Sequence, residues 1–375
     1  MTKIYLDFNA STPIDPEVID EMTPFFSKSF GNPSSQHWAS SETTQAIIKA
    51  RNQIAHLLGC HQDEIIFTSG GSEANNHALK GVFSSLQHKG NHIITTKVEH
   101  PAIMSPCKYL ESIGAEVSYV DVDQYGRVDP EQILNEIKDT TILITVMHAN
   151  NEIGTIQPIE AIGEIASKHR IVFHSDAAQS IGKVPTKVDM MGVDLLSIAG
   201  HKLYAPKGIG ALYIKRGTSI SPFIHGAGHE NGHRAGTENT PYIVALGKAC
   251  ELAEEGLNHI DSIRELRNYF WQQLSNLFEE RVVLNGSPDN CLPNTLSVSF
   301  VGVEGEKILQ AIPEIAASTG SACDSGKVEL SNVLKAMGVT EHIGMGTIRF
   351  SLGRTTTKNE IDEAVNLITS RVLES

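Results

Sequence analysis

Short apolar runs recur along the first two thirds of the chain, separated by stretches with helical spacing. The runs EIIFTS (64–69), HIITT (92–96), EVSYV (116–120), TILITVM (141–147), RIVFHS (170–175), DLLSIA (194–199) and GALYI (210–214) are β-branched and apolar on both faces. Such runs predict buried strands of a parallel sheet. Between them, PIEAIGEIASKH (158–169) sets Ile159, Ile162 and Ile165 at helical spacing, with Pro158 suited to a first turn. Strand and helix alternate. The expected fold class is therefore α/β, with a mainly parallel seven-stranded sheet covered by helices.

After residue 240 the pattern changes. PYIVALGKACELAEEG reads as one helix and HIDSIRELRNYFWQQLSNLFEE as a second. Ile263, Leu266, Phe270, Leu274 and Leu277 fall on one face of the second. Short strand candidates follow at VVLNG (282–286) and TLSVSFV (295–301). After them come a helix, a loop, the strand TIRFSL (347–352) and a last helix. This part predicts a smaller α+β domain.

A chain of 375 residues suits two domains, or one large domain with a lobe. Net charge is −14 with histidine neutral, a surface that repels phosphate backbones, so direct nucleic-acid binding is not expected. No apolar run approaches the ~20 residues that span a bilayer. MTKIYLDFNAS lacks the basic-then-apolar build of a secretory signal. A cytoplasmic protein without a membrane partner is expected. The five cysteines form no CxxC pair and no even framework, which gives neither a structural zinc nor disulfides any support. No metal site is expected.

Several polar clusters fall where strands end, the side on which α/β sheets bind ligands. TSGGSEANN (68–76) turns on two glycines into a helix near Ser72, a natural phosphate cradle. VEH (98–100) places His100 after a strand, and HANNEIG (148–154) places Asn150 and Asn151 there. HSDAAQ (174–179) does the same for Asp176 and Gln179, and SIAGHKLYAPKGIG (197–210) for His201 and Lys202. Each alone reads more simply as a cap or a packed side chain. Together they supply an anion cradle, a flat ring, an acid and a lysine on one rim. Pyridoxal 5'-phosphate (PLP) needs that set: a lysine for its aldehyde, an acid for its ring nitrogen and a cradle for its phosphate.

In order and spacing these motifs, with YLDFNASTP, GNPSS (31–35), HRAGTENT (233–240), ASTGSAC (317–323) and IRFSLGRTTT (348–357), resemble the NifS/IscS-like cysteine desulfurases of the class V aminotransferase group. The resemblance runs almost end to end. It implies the PLP-dependent transferase fold type I, with a large PLP-binding domain over 12–257. A small domain, 1–11 and 258–375, would carry the active-site cysteine loop.

It further implies that Lys202 is the Schiff-base lysine, that Asp176 binds the pyridinium nitrogen, and that His100 stacks on the ring and shuttles protons. Asn150 and Gln179 would hydrogen-bond near the ring hydroxyl, and Gly71, Ser72 and His201 would hold the phosphate. Thr237 would reach the phosphate from the second subunit of a homodimer. Arg349 would grip the substrate carboxylate, with Asn150 beside it. Cys323 would accept sulfur from L-cysteine as a persulfide, leaving L-alanine. The sulfur would go on to iron–sulfur cluster or thio-cofactor and tRNA biosynthesis, through an acceptor the sequence does not name.

The sequence departs from the pattern at Ala199, where a serine is usual, at Ser72 for threonine, at Ala205 for glycine, and at Asp324 beside Cys323. Ala199 and the run AGTENTPYIVALGKACELA also resemble selenocysteine lyases, which release selenium from L-selenocysteine. The 26-residue separation of Cys323 and Arg349 resembles the long-loop desulfurases. An aminotransferase of the same fold would not need Cys323.

Overall fold

The computed structural model describes residues 3–324 and 327–372, with the backbone alone at 321–324 and 327–328. A two-residue strand, β1 (Ile4–Tyr5), opens the chain. Seven strands follow: β2 (Ile65–Thr68), β3 (His92–Thr96), β4 (Glu116–Val120), β5 (Thr141–Thr145), β6 (Val172–Asp176), β7 (Leu195–Ala199) and β8 (Gly210–Ile214). They form one sheet in the order β2-β8-β7-β6-β5-β3-β4. The pairs from β4 to β7 are parallel, while β8 runs antiparallel to both β7 and β2. All seven coincide with the expected runs.

The reason is burial on both faces. Every residue of β2, β3, β5, β7 and β8 is buried, as continuous apolar runs require. One face packs on a core built around Ile54, Leu58, Ile94, Ile144, Phe173 and Leu246. The other packs on Leu79, Val82, Ile93, Ile103, Leu143 and Leu212.

The later strands are β9 (Val282–Asn285), β10 (Thr295–Phe300), β11 (Ile315–Ala316), β12 (Ser318–Thr319), β13 (Ser321–Asp324), β14 (Lys327–Leu330) and β15 (Thr347–Ser351). An antiparallel sheet runs β12-β15-β10-β9, β1 pairs in parallel with β11, and β13 pairs with β14. Ile4 and Leu6 from the N-terminus join the core of this sheet beside Phe270, Leu296, Phe300 and Phe350.

The helix Ile260–Phe278 covers that sheet. Phe270 and Leu274 are buried as its stripe predicts, but Leu277 is exposed and Phe278 is buried. A 3.6-residue turn carries the stripe round to 278, where the ring meets Phe300 edge-on at 5.1 Å. Among the described residues, no helix is long and apolar enough to cross a membrane.

Candidate active site

Strand order reverses between β3 and β5, since the chain steps outward to β4 and then back across. Open α/β sheets bind ligands at such a switch point, beyond the carboxyl ends of their strands. A cavity of about 350 Å³ lies there. Gly71, Ser72, His100, Asp176, Gln179, His201, Lys202 and Arg349, eight residues expected from sequence, line it together.

Asp176 ends β6 and is 6% exposed. Its Oδ2 accepts from Asn75 Nδ2 at 2.6 Å and its Oδ1 from the Ala178 amide at 2.9 Å. The carboxylate is fixed but carries no cation among its hydrogen-bond partners. His100 caps the helix Pro101–Glu111: its Nδ1 accepts from the Ala102 amide at 3.0 Å. That bond puts the neutral ring's proton on Nε2. Burial, aided by the Lys202 charge and opposed by Asp176, holds the imidazole below its usual range.

Behind His100, the buried Glu99 accepts from the Thr96 hydroxyl at 2.8 Å and from the Met147 amide at 3.0 and 3.1 Å. It ties the end of β3 to the end of β5. Burial pushes its carboxyl up to about 8.

Lys202 follows β7 in a single 3₁₀ turn. Its Nζ donates to the Asn9 carbonyl at 2.6 Å and to the Ala10 carbonyl at 2.9 Å. Burial pulls its ammonium down to about 8. Arg349 pulls the same way, and Asp7 and Asp176 oppose. His201 is pushed down to about 4 by burial and by Lys202 and Lys207. Gln179 donates through Nε2 to the Asn9 carbonyl at 2.9 Å. One buried residue, Asn9, thus takes both Gln179 and Lys202.

Arg349 comes from the other sheet, on β15. It donates to the Asn151 carbonyl at 2.9 Å, the Ser318 hydroxyl at 2.9 Å and Asp7 Oδ1 at 2.7 Å. Only its Nε is buried without a partner. The guanidinium reaches the cavity already held in an ion pair.

Asn150 is an expectation the geometry does not support. It is fully buried and does not line the cavity. Its Nδ2 donates to the Val98 carbonyl at 3.0 Å, and its Oδ1 accepts from the amides of Glu152 and Ile153. The side chain closes its own turn, and the next residue, Asn151, lines the cavity.

Thr237 is exposed and lies off its own chain's cavity. Its loop is docked by Arg234, which pairs with Glu73 at 3.0 Å in the first turn of the helix Gly71–Leu86.

Cys323 was expected on a loop. Its backbone instead lies in β13, opposite Val328 of β14. The Ser331 amide closes the base of this hairpin on the Gly320 carbonyl at 3.1 Å, and Asp324 sits opposite Lys327 in register. The Cys323 side chain and its expected exposure lie outside the described residues.

Five members of the site were not foreseen: Asp7, Asn9, Asn75, Glu99 and Lys183. Asn75 had a signal. It lies one helical turn beyond Gly71 and Ser72, on the face they share.

The cavity fits pyridoxal phosphate on its own terms. Gly71 opens a 16-residue helix whose first amides have no partner within it, and the dipole favours an anion there. A Cβ at Gly71 would come within 3.2 Å of the Ala199 Cβ, so the cradle is narrow there. Asp176 is a fixed carboxylate suited to a cationic N–H, Lys202 is a depressed amine suited to an aldehyde, and the orphan acceptor Asn75 Oδ1 is buried beside them.

A family model described as Aminotransferase class-V matches residues 4–364. The chain belongs to the class-V aminotransferase family. Within it, the chain is 48% identical over 375 residues to a cysteine desulfurase IscS of Dictyoglomus turgidum, covering 99% of this chain and 95% of that one. It is 45% identical to a cysteine desulfurase IscS of Methanosarcina thermophila, covering 97% and 91%. Among solved structures, a NifS-like protein superposes with a TM-score of 0.94 at 37% identity, covering both chains fully. A structure described as SspA in complex with cysteine superposes at 0.83 and 41% identity, covering 94% of this chain and 99% of that one. Class-V enzymes of the NifS/IscS kind are PLP-dependent, which agrees with the fit of the cavity.

Proposed function

We propose that this chain is a PLP-dependent cysteine desulfurase, converting L-cysteine to L-alanine and passing the sulfur to Cys323 as a persulfide. The observation that carries the reading is one cavity lined by Lys202, Asp176 and His100, with Arg349 entering from a second sheet whose edge leads into the Cys323 hairpin. The balance closes without a further reactant: one sulfur atom leaves cysteine and enters the Cys323 S–H bond, so cysteine becomes alanine and the thiol a persulfide. Acting on cysteine, as the names of the curated relatives describe, favours sulfur over selenium.

When bound, pyridoxal phosphate supplies an electron sink for the carbon bearing the substrate amine. The chain's own residues do the rest. Asp176 holds the proton of the ring nitrogen. Lys202, with its pKa near 8, takes and returns the Cα proton close to neutral pH. His100 keeps its Nε2 proton available. Gly71, Ser72 and His201 hold the phosphate, and Gln179 donates near the ring oxygen. Arg349 binds the substrate carboxylate by exchanging it against Asp7. Cys323 attacks as thiolate.

A homodimer completes this reading, with Thr237 reaching the partner's phosphate. Its exposure on a docked loop supports that role, as do the bare apolar side chains of Phe26, Phe30 and Trp38, which are 59, 74 and 90% exposed. The enzyme would act in the cytoplasm and hand sulfur to an acceptor protein.

The test is alanine release from L-cysteine by the PLP-loaded protein with a reductant, run beside Cys323→Ser. Alanine from the wild type and almost none from the variant is the expected result. Alanine from both points to another PLP reaction that does not use Cys323. Alanine from L-selenocysteine alone moves the substrate to selenium.

A further inference from the structure

Lys183 stands in the turn after β6, and the reaction above gives it no task. The residue as a whole is partly exposed. Nζ donates to Gln179 Oε1 at 3.0 Å and lies 3.4 Å from Asn9 Oδ1. Those two residues are 6% and 1% exposed. Both acceptors are neutral amides, and among the described residues no carboxylate pairs with this lysine. Burial pulls its ammonium down to about 7, with Lys202 and Arg349 adding to the effect. An ammonium held against two amides without a counter-charge is costly to place, so its geometry needs a reason.

The reason lies in what its acceptors touch. A protonated lysine only donates, so Nζ fixes which end of the Gln179 amide faces it. Oε1 turns to Lys183, and Nε2 turns to the Asn9 carbonyl at 2.9 Å. Gln179 lines the cavity, which leaves its second Nε2 hydrogen for a ligand there. The same Asn9 carbonyl accepts from Lys202 at 2.6 Å. Asn9 Oδ1 also accepts from Asn294 at 3.1 Å, so Asn9 is held from two sides.

We infer that Lys183 is a positioning residue: by donating to Gln179 Oε1 and Asn9 Oδ1 it aims the Gln179 N–H at the cofactor's ring oxygen and steadies the carbonyl on which Lys202 rests. The inference rests on the proposed placing of pyridoxal phosphate in this cavity. Without the Lys183 donor, the Gln179 amide is free to turn its oxygen to the cavity. The ring oxygen then loses a donor, and Lys202 loses a neighbour that is positive while Lys183 is protonated. Both losses favour the protonated linkage. Arg349, Asp7 and Asp176 also face Lys202 and stay in place.

The experiment is a pH titration of the visible band of the PLP-loaded protein. Lys183→Met is expected to keep its cofactor, to raise the midpoint by about one unit, and to lower kcat for alanine release about tenfold with KM nearly unchanged. Lys183→Arg, which keeps charge and donors, is expected to restore the midpoint. Gln179→Leu is expected to raise the midpoint by itself, and adding Lys183→Met to it should move the midpoint little further, because the two act through one amide. A Lys183→Met protein that titrates like wild type overturns the inference. So does a Gln179→Leu protein that does, which keeps the test open should Lys183→Met not fold. Failure of the underlying reading looks different: the wild type takes up no pyridoxal phosphate, or Lys202→Ala keeps the wild-type band.

Discussion

The site has two halves built in different ways. His100, Asp176, Gln179, His201 and Lys202 follow strands of the large parallel sheet, each placed within a few residues of a strand end. Arg349 and the Cys323 hairpin belong to the antiparallel part, and the Arg349 side chain is held by the first residues of the chain. Asp7 pairs with Arg349 at 2.7 Å, 342 residues away in sequence. The first half is fixed by a scaffold buried on both faces. In the second, β15 is equally buried, but the Arg349 side chain is held by a few polar contacts: one carboxylate, a hydroxyl and a carbonyl. A fixed half suits a resident cofactor. A half held by exchangeable contacts suits a substrate that must arrive, be gripped and leave.

The largest expected effect separates the halves outright. Lys202→Ala should lower alanine release by about a thousandfold and remove the visible band of the lysine-bound cofactor. Arg349→Ala should keep that band and lower kcat/KM for L-cysteine about a hundredfold, chiefly through KM. If Arg349→Ala also lost the cofactor, the two halves would not be separable as drawn. Absorbance and steady-state alanine release on the same preparations decide it.

Legibility in the sequence follows the same division. Lys202, Asp176, His100 and Gln179 could be found because each stands just beyond a buried apolar run, and strand ends in α/β sheets point to ligands. Asp7 and Asn9 could not. They follow a two-residue strand, and their partners come from residues 151, 179, 202, 295 and 349. Residue type shows no direction, so the sequence does not choose between Asn150 and Asn151: Asn150 turns inward to close the turn, and Asn151 lines the cavity. Leu277 was placed on the buried face and Phe278 lies there, since a stripe of 3.6-residue period fixes a helix face only to within a residue. Small polar residues hid the Cys323 hairpin, whose pairing rests on register more than on apolar alternation.

A smaller effect tests whether the Asp7–Arg349 pair is the exchangeable contact proposed. The Asp7 and Arg349 side chains are 17 and 10% exposed, so the pair is partly shielded from water. Asp7→Asn keeps the shape and removes the competing charge. KM for L-cysteine should fall about threefold as Arg349 is released, and stability should fall by about 1–3 kcal/mol because a shielded cation loses its partner. A rise in KM would instead mean that Asp7 orients the guanidinium, and the substrate half would be as rigid as the cofactor half.

The last effect falls on stability and not on turnover, and concerns the rigid half and its acid at the join of β3 and β5. Burial raises the Glu99 carboxyl to about 8, far above the usual carboxylate range near 4.5. Between those two values the folded protein holds a proton that the unfolded chain has released. Stability from this group is therefore fully present below pH 4.5 and is lost as pH rises through 8. The loss has a limiting slope of about 1.4 kcal/mol per pH unit, reduced by any ionised fraction. Glu99→Gln carries no titrating group and keeps an acceptor for the Met147 amide. Denaturant unfolding at pH 5, 6.5 and 8 should show the variant losing less stability than the wild type across that range, with the two converging at the acid end. Parallel curves would mean that Glu99 is ionised in the folded protein, placing an uncompensated negative charge behind His100 and Asp176. The sheet-end half would then be electrostatically tuned as well as rigid.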